Sequence, residues 1–317
     1  MKIVVLMGGR SPEREISLRT GAGVGRALAA LGHEVFPLDT GTVGADVESL
    51  LRAIPKSTDL AFIALHGGDG ENGTVQAFLD LKQMPYTGSG VLASALAMDK
   101  AISKRIFLQE GIPTPEWLER WAPEDTGQRW HPEIGAEEIA RLGGYPLVVK
   151  PNDQGSTVGV TVVGEPSGLK DALETARAYG RLVLIERFIP GREVTVAVLN
   201  GRALPVVEII PQGGFYDYEH KYTAGASRYE VPARLSPEAS ERLLSIGLRA
   251  YRALRASGVA RVDFRLHDDG TPYCLEVNTV PGMTEMSLVP KAAAAAGLSY
   301  EDLVRAIVES APLRAVR

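Results

Sequence analysis

The chain has 317 residues, 45% of them hydrophobic and 23% charged, which is enough for two or three compact units with cores of their own. A net charge of -5 argues against a general polyanion-binding surface, although a local basic cleft could still gather phosphates. The lone Cys274 forms no internal disulfide, the apolar start "MKIVVLM" is broken by Gly8-Gly9, and no stretch reaches the roughly 20 apolar residues that cross a bilayer, so a cytoplasmic protein with neither membrane nor nucleic-acid partner is expected.

The first third alternates apolar runs with helical patterns: "KIVVLM" (2–7), "GAGVGRALAALG" (21–32), "DLAFIALHGG" (59–68) and "GTVQAFLDLKQM" (73–84). This rhythm predicts a parallel sheet flanked by helices, with functional loops at the carboxyl ends of its strands. Two polar loops sit there, "GGRSPEREIS" (8–17) and "HGGDGENG" (66–73). Next, "MDKAISKRIFLQEGIPTPEW" (98–117) reads as a helix stopped by Gly111 and Pro113, followed by a polar, irregular stretch, so a domain boundary is placed near residue 98. Beyond it the β signals become antiparallel. "PLVVK" and "GVTVV" flank a Gly-rich connection, and "EVTVAVL" and "RALPVVEI" flank Asn200-Gly201, a strong hairpin signal. An amphipathic helix over "SPEASERLLSIGLRAYRALRA" (236–256) precedes a last hairpin, "RVDFRLHDDGTPYCLEVN" (261–278).

That hairpin carries the chemistry. Strand alternation puts Glu276 and Asn278 on one face, and a two-residue turn at Asp269-Gly270 would set Asp263 opposite Glu276 and Arg261 opposite Asn278. Like charges directly across a sheet cost up to about 1 kcal/mol unless something positive lies between them. The all-oxygen set Asp263, Glu276 and Asn278 suits Mg²⁺ or Mn²⁺ better than zinc. The same residues also suit a solvated face on which Arg261 and Arg265 neutralise the carboxylates.

A metal of this kind calls for phosphates, yet neither a Walker motif nor G-x-G-x-x-G is present. "VVKPNDQGSTVGV" (148–160) offers an alternative: Gly155, Ser156 and Thr157 could close over phosphates, or simply turn the chain. Lys100 and Lys150 are candidate point charges for phosphate. In "LIERFIPGREV" (184–194), the backbone of Arg187, Phe188 and Ile189 could read an adenine edge, Glu186 could accept from its amino group, and Glu193 could bind ribose hydroxyls.

In order along the chain, "GGRSPEREIS", "HGGDGENGTVQ", "PYTGSGVLASALAMDK", "VVKPNDQGSTVG", "IERFIPGREVTV", "GFYDYEHKYTAG", "RVDFRL" and "CLEVNTVPGMTEMSLVP" closely resemble the D-alanine–D-alanine ligases, ATP-grasp enzymes of bacterial cell-wall synthesis. The resemblance runs from residue 1 to about 310. It implies an α/β and α+β chain: a Rossmann-like pre-ATP-grasp domain (1–98), then a two-part ATP-grasp fold of a small central domain (99–185) and a C-terminal domain (186–317), with ATP between the last two.

It also implies the reaction. ATP phosphorylates one D-alanine, and the amine of a second D-alanine attacks the D-alanyl phosphate to give D-alanyl-D-alanine for peptidoglycan precursors. Asp263, Glu276 and Asn278 would hold two Mg²⁺ ions, with Mn²⁺ able to substitute; a monovalent cation is an optional addition, and a homodimer is the usual assembly. Glu13 resembles the anchor of the first ammonium, with His66 orienting that substrate, while Lys221 and Ser287 resemble anchors for the second carboxylate. Arg261 and the N–H of Gly282 resemble the pair that stabilises the oxyanion. Glu13, Ser156 and Tyr222 would link the N-terminal domain to two closing lids, the second of which also carries Tyr216 and Tyr218. Tyr222 favours an amine acceptor over the D-alanyl-D-lactate alternative; a D-alanyl-D-serine ligase is the other relative to separate. Gln154, where a charged residue is commoner, and Val280, where a small polar one is frequent, depart from the pattern without removing a ligand.

Overall fold

The structure, a computed structural model, describes residues 1–43, 47–124, 130, 132–211 and 227–311. Strands β1 (Lys2–Met7), β2 (Glu34–Asp39) and β3 (Leu60–Ile63) form a parallel sheet in the order β2-β1-β3. The inner residues of β1 and all of β3 are buried, as expected of parallel strands covered on both faces. β2, "EVFPLD", is more exposed and contains Pro37. It lacks a strong apolar signal because it is an edge strand, where a missing backbone donor is tolerated. Helix α1 (Arg14–Ala30) begins inside the first polar loop and packs on this sheet through Val24, Ala27 and Leu28; α2 (Val47–Ala53), α3 (Thr74–Leu81) and α4 (Val91–Met98) follow.

Helix α5 (Lys100–Gln109) starts where Asp99 accepts a hydrogen bond from Ile102 N at 3.0 Å and stops before Gly111, which adopts φ +64°. The second sheet contains β4 (Trp117–Trp121), β5 (Leu147–Pro151), β6 (Thr161–Val163) and β7 (Leu182–Arg187) in the antiparallel order β4-β7-β5-β6. Helices α6 (Ala136–Arg141) and α7 (Leu169–Arg177) accompany it, and α7 buries Ala172, Leu173 and Ala176 against Leu147, Val149 and Ile185. β4 was not signalled by the sequence because, apart from Leu118, its side chains are only half-buried or exposed.

The third sheet, also antiparallel, has the order β11-β10-β8-β12-β13, with β9 beside β8. Its strands are β8 (Arg192–Leu199), β9 (Arg202–Ala203), β10 (Val207–Pro211), β11 (Ser227–Glu230), β12 (Val259–Leu266) and β13 (Pro272–Asn278). The Asn200-Gly201 hairpin forms as expected, with positive φ at both residues (51° and 78°). Helix α8 (Pro237–Ala253), capped by Ser236, buries Leu243, Ile246 and Ala250 against this sheet. Phe107 of α5 and Ile112 join the same core. Helices α9 (Leu288–Ala295) and α10 (Tyr300–Glu309) complete the described chain, and α10 shares one core with β1, β3 and β8. No described helix is long and apolar enough to cross a membrane.

The last hairpin reaches the expected pairing by a different path. Its loop has three residues, Asp268 to Gly270, closed by His267 N to Thr271 O at 3.0 Å, with Gly270 at φ +82°. Leu266 therefore pairs with Pro272 and Phe264 with Cys274, one residue out of step with a two-residue turn. A bulge between Asp263 and Phe264 leaves Leu275 as the extra residue and restores Asp263 opposite Glu276 and Arg261 opposite Asn278.

Gly191 joins β7 to β8 at φ +107°, and a Cβ there would overlap the carbonyl oxygen of Leu266. Gly191→Ala is expected to lower the unfolding free energy by about 3 kcal/mol, adding backbone strain to overpacking, as read from urea denaturation.

Candidate functional site

A cavity of about 780 Å³ opens between the loops after β1 and β3, the start of α5, the loop after β5 and the face of β12 and β13. Twelve of the residues singled out in the sequence line it. Glu13 and His66 come from the N-terminal loops, Lys100 from α5, Gly155 and Ser156 from the Gly-rich loop, and Glu193 from β8. Arg261, Asp263, Glu276 and Asn278 come from the hairpin, with Gly282 and Ser287 from the segment after it.

The hairpin face is polar because the bulge turns Glu276 and Asn278 toward Arg261 and Asp263 while Cys274 and Val277 stay in the core. Asp263 Oδ1 accepts from Thr195 Oγ1 (2.7 Å) and Arg261 Nε (2.8 Å), and its Oδ2 accepts from Arg261 Nη2 (2.6 Å). Lys100 Nζ lies 3.2 Å from Glu276 Oε2 and donates to Gln154 O at 2.6 Å, tying the Gly-rich loop to the carboxylate face. Arg265 turns away, donating to Ile189 O and Gly191 O, so the solvated-face reading holds for Arg261 only.

Among the described residues, no three His, Cys, Asp or Glu side chains form a ready metal cage. Two carboxylates and a carboxamide nevertheless fit a hard cation such as Mg²⁺, which completes its shell with water and phosphate oxygens rather than with protein alone. Asn278 Oδ1 already accepts from Val280 N at 2.9 Å, which starts the turn toward Gly282. A Cβ at Gly282 would come to 3.0 Å of Ser287 Oγ, a tight contact that the serine would have to yield to. That hydroxyl is itself held by Thr284 N (3.1 Å) and Thr284 Oγ1 (2.8 Å).

Glu13 sits at the entrance to α1, fixed by Glu13 N donating to Ser11 Oγ (3.2 Å), while Ser11 Oγ donates to His66 O (2.5 Å). Next to it, Arg14 grips Asp39 through two hydrogen bonds (2.7 and 2.5 Å); that bond holds the Asp39 carboxyl below its ordinary range. Ser156 Oγ donates to Glu13 Oε1, spanning the N-terminal loop and the Gly-rich loop. Ser156 and Thr157 both adopt positive φ (50° and 62°), a conformation that costs side-chain-bearing residues about 1–3 kcal/mol each.

His66 is buried, with Nδ1 3.0 Å from Val280 O and Nε2 2.9 Å from Thr20 Oγ1. A carbonyl only accepts, so Nδ1 carries a proton and donates to Val280 O, and Nε2 shares a hydrogen bond with the Thr20 hydroxyl. Both ring nitrogens thus engage protein, joining His66 to the loop that carries Gly282. Glu71, from the same quoted loop but given no role in the sequence, lies 3.8 Å from His66 Nδ1. Burial pushes its carboxyl above the ordinary range, His66 pulls it back, and neighbouring Glu13 adds to the rise.

Two residues expected at phosphate, Lys150 and Thr157, do not line the cavity, and neither do those expected at the adenine, Glu186, Arg187, Phe188 and Ile189. Glu186 is buried, with Oε1 2.9 Å from Lys150 Nζ and 3.1 Å from Lys104 Nζ, as ion-pair contacts rather than well-aligned hydrogen bonds. Burial alone would raise the Glu186 carboxyl, but the two ammonium groups outweigh it and hold it below its ordinary range. Lys104 was missed in the sequence, where a helical lysine reads as surface. Burial pushes its ammonium down to about 8 against the pull of Glu186. Two backbone groups expected to be open to a base are engaged: Arg187 N donates to Glu116 O at 2.9 Å, and Ile189 O accepts from Arg265. Phe188 stacks under the Arg265 guanidinium at 5.9 Å. Lys221 and Tyr222, with Tyr216 and Tyr218, lie outside the described residues.

The family model described as "D-ala D-ala ligase C-terminus" matches residues 106–309, and "D-ala D-ala ligase N-terminus" matches 41–89. A D-alanine–D-alanine ligase of Syntrophotalea carbinolica is 48% identical over 314 residues, covering 99% of this chain and 97% of that protein. One from Gloeobacter violaceus is 47% identical, covering 98% and 99%. Among solved structures, the Bacillus anthracis D-alanine–D-alanine ligase complexed with ATP superposes with a TM-score of 0.84 at 38% identity, covering 98% of this chain and 97% of that one. VanG D-Ala:D-Ser ligase from Enterococcus faecalis superposes at 0.82 with 30% identity, covering 98% and 99%. The fold is therefore ATP-grasp, and the chain belongs to the D-alanine–D-alanine ligase family.

Proposed function

We propose that the chain joins two D-alanines at the expense of ATP, through a D-alanyl phosphate, to supply peptidoglycan precursors in the cytoplasm. The observation that carries this reading is one cavity lined together by Glu13, Lys100, Asp263, Glu276, Asn278, Arg261 and Gly282, which suit in turn an ammonium, a phosphate, a hard cation and an oxyanion. A second D-alanine would be anchored by Ser287 and by Lys221, and Tyr222 would favour an amine acceptor. The assembly is taken to be a homodimer, with units 1–98, 99–185 and 186–317.

A carboxylate is a poor acyl donor, so phosphorylation supplies its leaving group. Mg²⁺ held by Asp263, Glu276 and Asn278 would neutralise phosphate charge during that transfer. Lys100, already between Glu276 and the Gly-rich loop, would bring its ammonium to the same phosphates as the loop closes with Gly155, Ser156 and Thr157. Water must stay out while the acyl phosphate exists, which is the part played by the loop bonded to Glu13 through Ser156. As the second amine attacks, Arg261 and the Gly282 N–H receive the developing oxyanion; donors of this kind are worth about 10²-fold to 10³-fold in rate. His66 acts in this scheme through the Val280 to Met283 loop, holding Gly282 from beneath. On the nucleotide side, Glu186 accepts from the base amino group, Lys150 meets phosphate and Glu193 meets ribose, with the Arg187 to Ile189 segment alongside the base.

Glu276→Gln keeps the volume and removes the charge. It is expected to lower kcat by at least about 10²-fold while the melting temperature moves little, as read from coupled ADP release and thermal denaturation. Normal turnover with Mg²⁺ would break the metal assignment. D-Alanine alone should support ADP release at neutral pH. Preferential use of D-lactate or D-serine as acceptor would instead place the enzyme with the ester-forming or D-serine ligases.

A further inference from the structure

Lys104 takes no part in the chemistry above, yet it is one of the most buried residues in the molecule, at 0% exposure. It leaves α5 on the side of the C-terminal core and ends against the second sheet. Its Nζ lies 3.1 Å from Glu186 Oε1 on β7, donates to Thr114 Oγ1 at 2.9 Å, and sits 5.2 Å from the centre of the Trp117 ring on β4. Thr114 Oγ1 in turn donates to Cys274 O at 2.8 Å, and Cys274 N donates to Pro113 O at 2.8 Å, so the lysine stands where β13 and the second sheet are tied together.

We propose that Lys104 is a positioning residue for the nucleotide base: its ammonium, fixed by Thr114, holds the Glu186 carboxylate where that carboxylate accepts the base's amino group. The inference rests on the reading of Glu186 given above and adds the residue that sets its geometry. Neutralisation does not explain the lysine, because Lys150 at 2.9 Å already balances Glu186, and a second ammonium leaves the buried trio with an excess positive charge. Nor does stability. Burial disfavours the Lys104 ammonium more than Glu186 favours it, and an apolar side chain of similar length would fill the same space without that cost. What Lys104 adds is a second point of attachment. One ammonium reaches Oε1 from β5 and one from α5, so the carboxylate is held from two sides.

The test compares ATP with inosine triphosphate, in which an oxo group replaces the amino group, on the full enzyme. Lys104→Met is expected to raise KM for ATP about tenfold and to reduce the ATP-over-inosine preference by a similar factor, the scale of one charge-assisted hydrogen bond. KM for D-alanine should move less than about twofold, and Lys104→Arg should stay within about threefold of the parent, since these changes leave the acyl side of the site untouched. Should Lys104→Met fail to fold, Thr114→Val, which removes only the hydroxyl that fixes the ammonium, is expected to cut the same preference about threefold. A folded Lys104→Met, or in its place Thr114→Val, that retains the full preference or changes KM for D-alanine instead overturns the role of Lys104. A parent enzyme without any preference for ATP overturns the Glu186 reading itself, and the inference with it.

Discussion

Two carboxylates held opposite one another, Asp263 on β12 and Glu276 on β13, are the constraint on which the rest of the site depends. Left alone they would destabilise the sheet by up to about 1 kcal/mol, so cations must come to them. Arg261 reaches Asp263 from the same strand, two residues away, and Lys100, on the first turn of α5, comes within 3.2 Å of Glu276. Core packing through Phe107 and Ile112 places α5, and the same helix brings Lys100 to Glu276 and Lys104 to Glu186.

The β12–β13 pairing was legible in the sequence because Val262 and Phe264, fully buried, keep strict alternation in β12 and Glu276 and Asn278 keep a spacing of two in β13. The way it is achieved was not. Asp269-Gly270 is an acceptable centre for a two-residue turn or the end of a three-residue one, and the choice depends on whether a bulge elsewhere corrects the register. β2 and β4 were hidden for a related reason: edge strands need only one apolar face or none, so their composition does not separate them from loops. Lys104 and Glu71 were missed because a charged side chain reads as solvated until the fold shows what covers it. Family resemblance filled part of this gap for Glu13, Arg261 and Gly282, whose roles no spacing rule would assign. It did not reveal that Arg187 N and Ile189 O are already bonded within the protein.

The N-terminal and C-terminal parts meet through small, directional contacts as well as through shared core. His66 and Thr20, from the loop after β3 and from α1, bracket the segment Val280 to Met283 by bonds to Val280 O and, more distantly, from Met283 N at 3.5 Å. The Val280 carbonyl needs a donor, which His66 Nδ1 supplies, while Nε2 stays within 2.9 Å of the Thr20 hydroxyl on α1.

The Gly-rich loop is held by a closer balance. Ser156 and Thr157 in left-handed conformations together cost about 2–6 kcal/mol, whereas one hydrogen bond to a carboxylate is worth about 1.5–3 kcal/mol. The bond from Ser156 to Glu13 is of the same order as that strain, and Lys100 donating to Gln154 O adds a further anchor. Gln154 Nε2 donating to Tyr179 O ties the loop to the second sheet's side as well. Two of the loop's anchors, Glu13 and Lys100, line the cavity themselves, so the contacts that position the loop lie where a ligand would meet them.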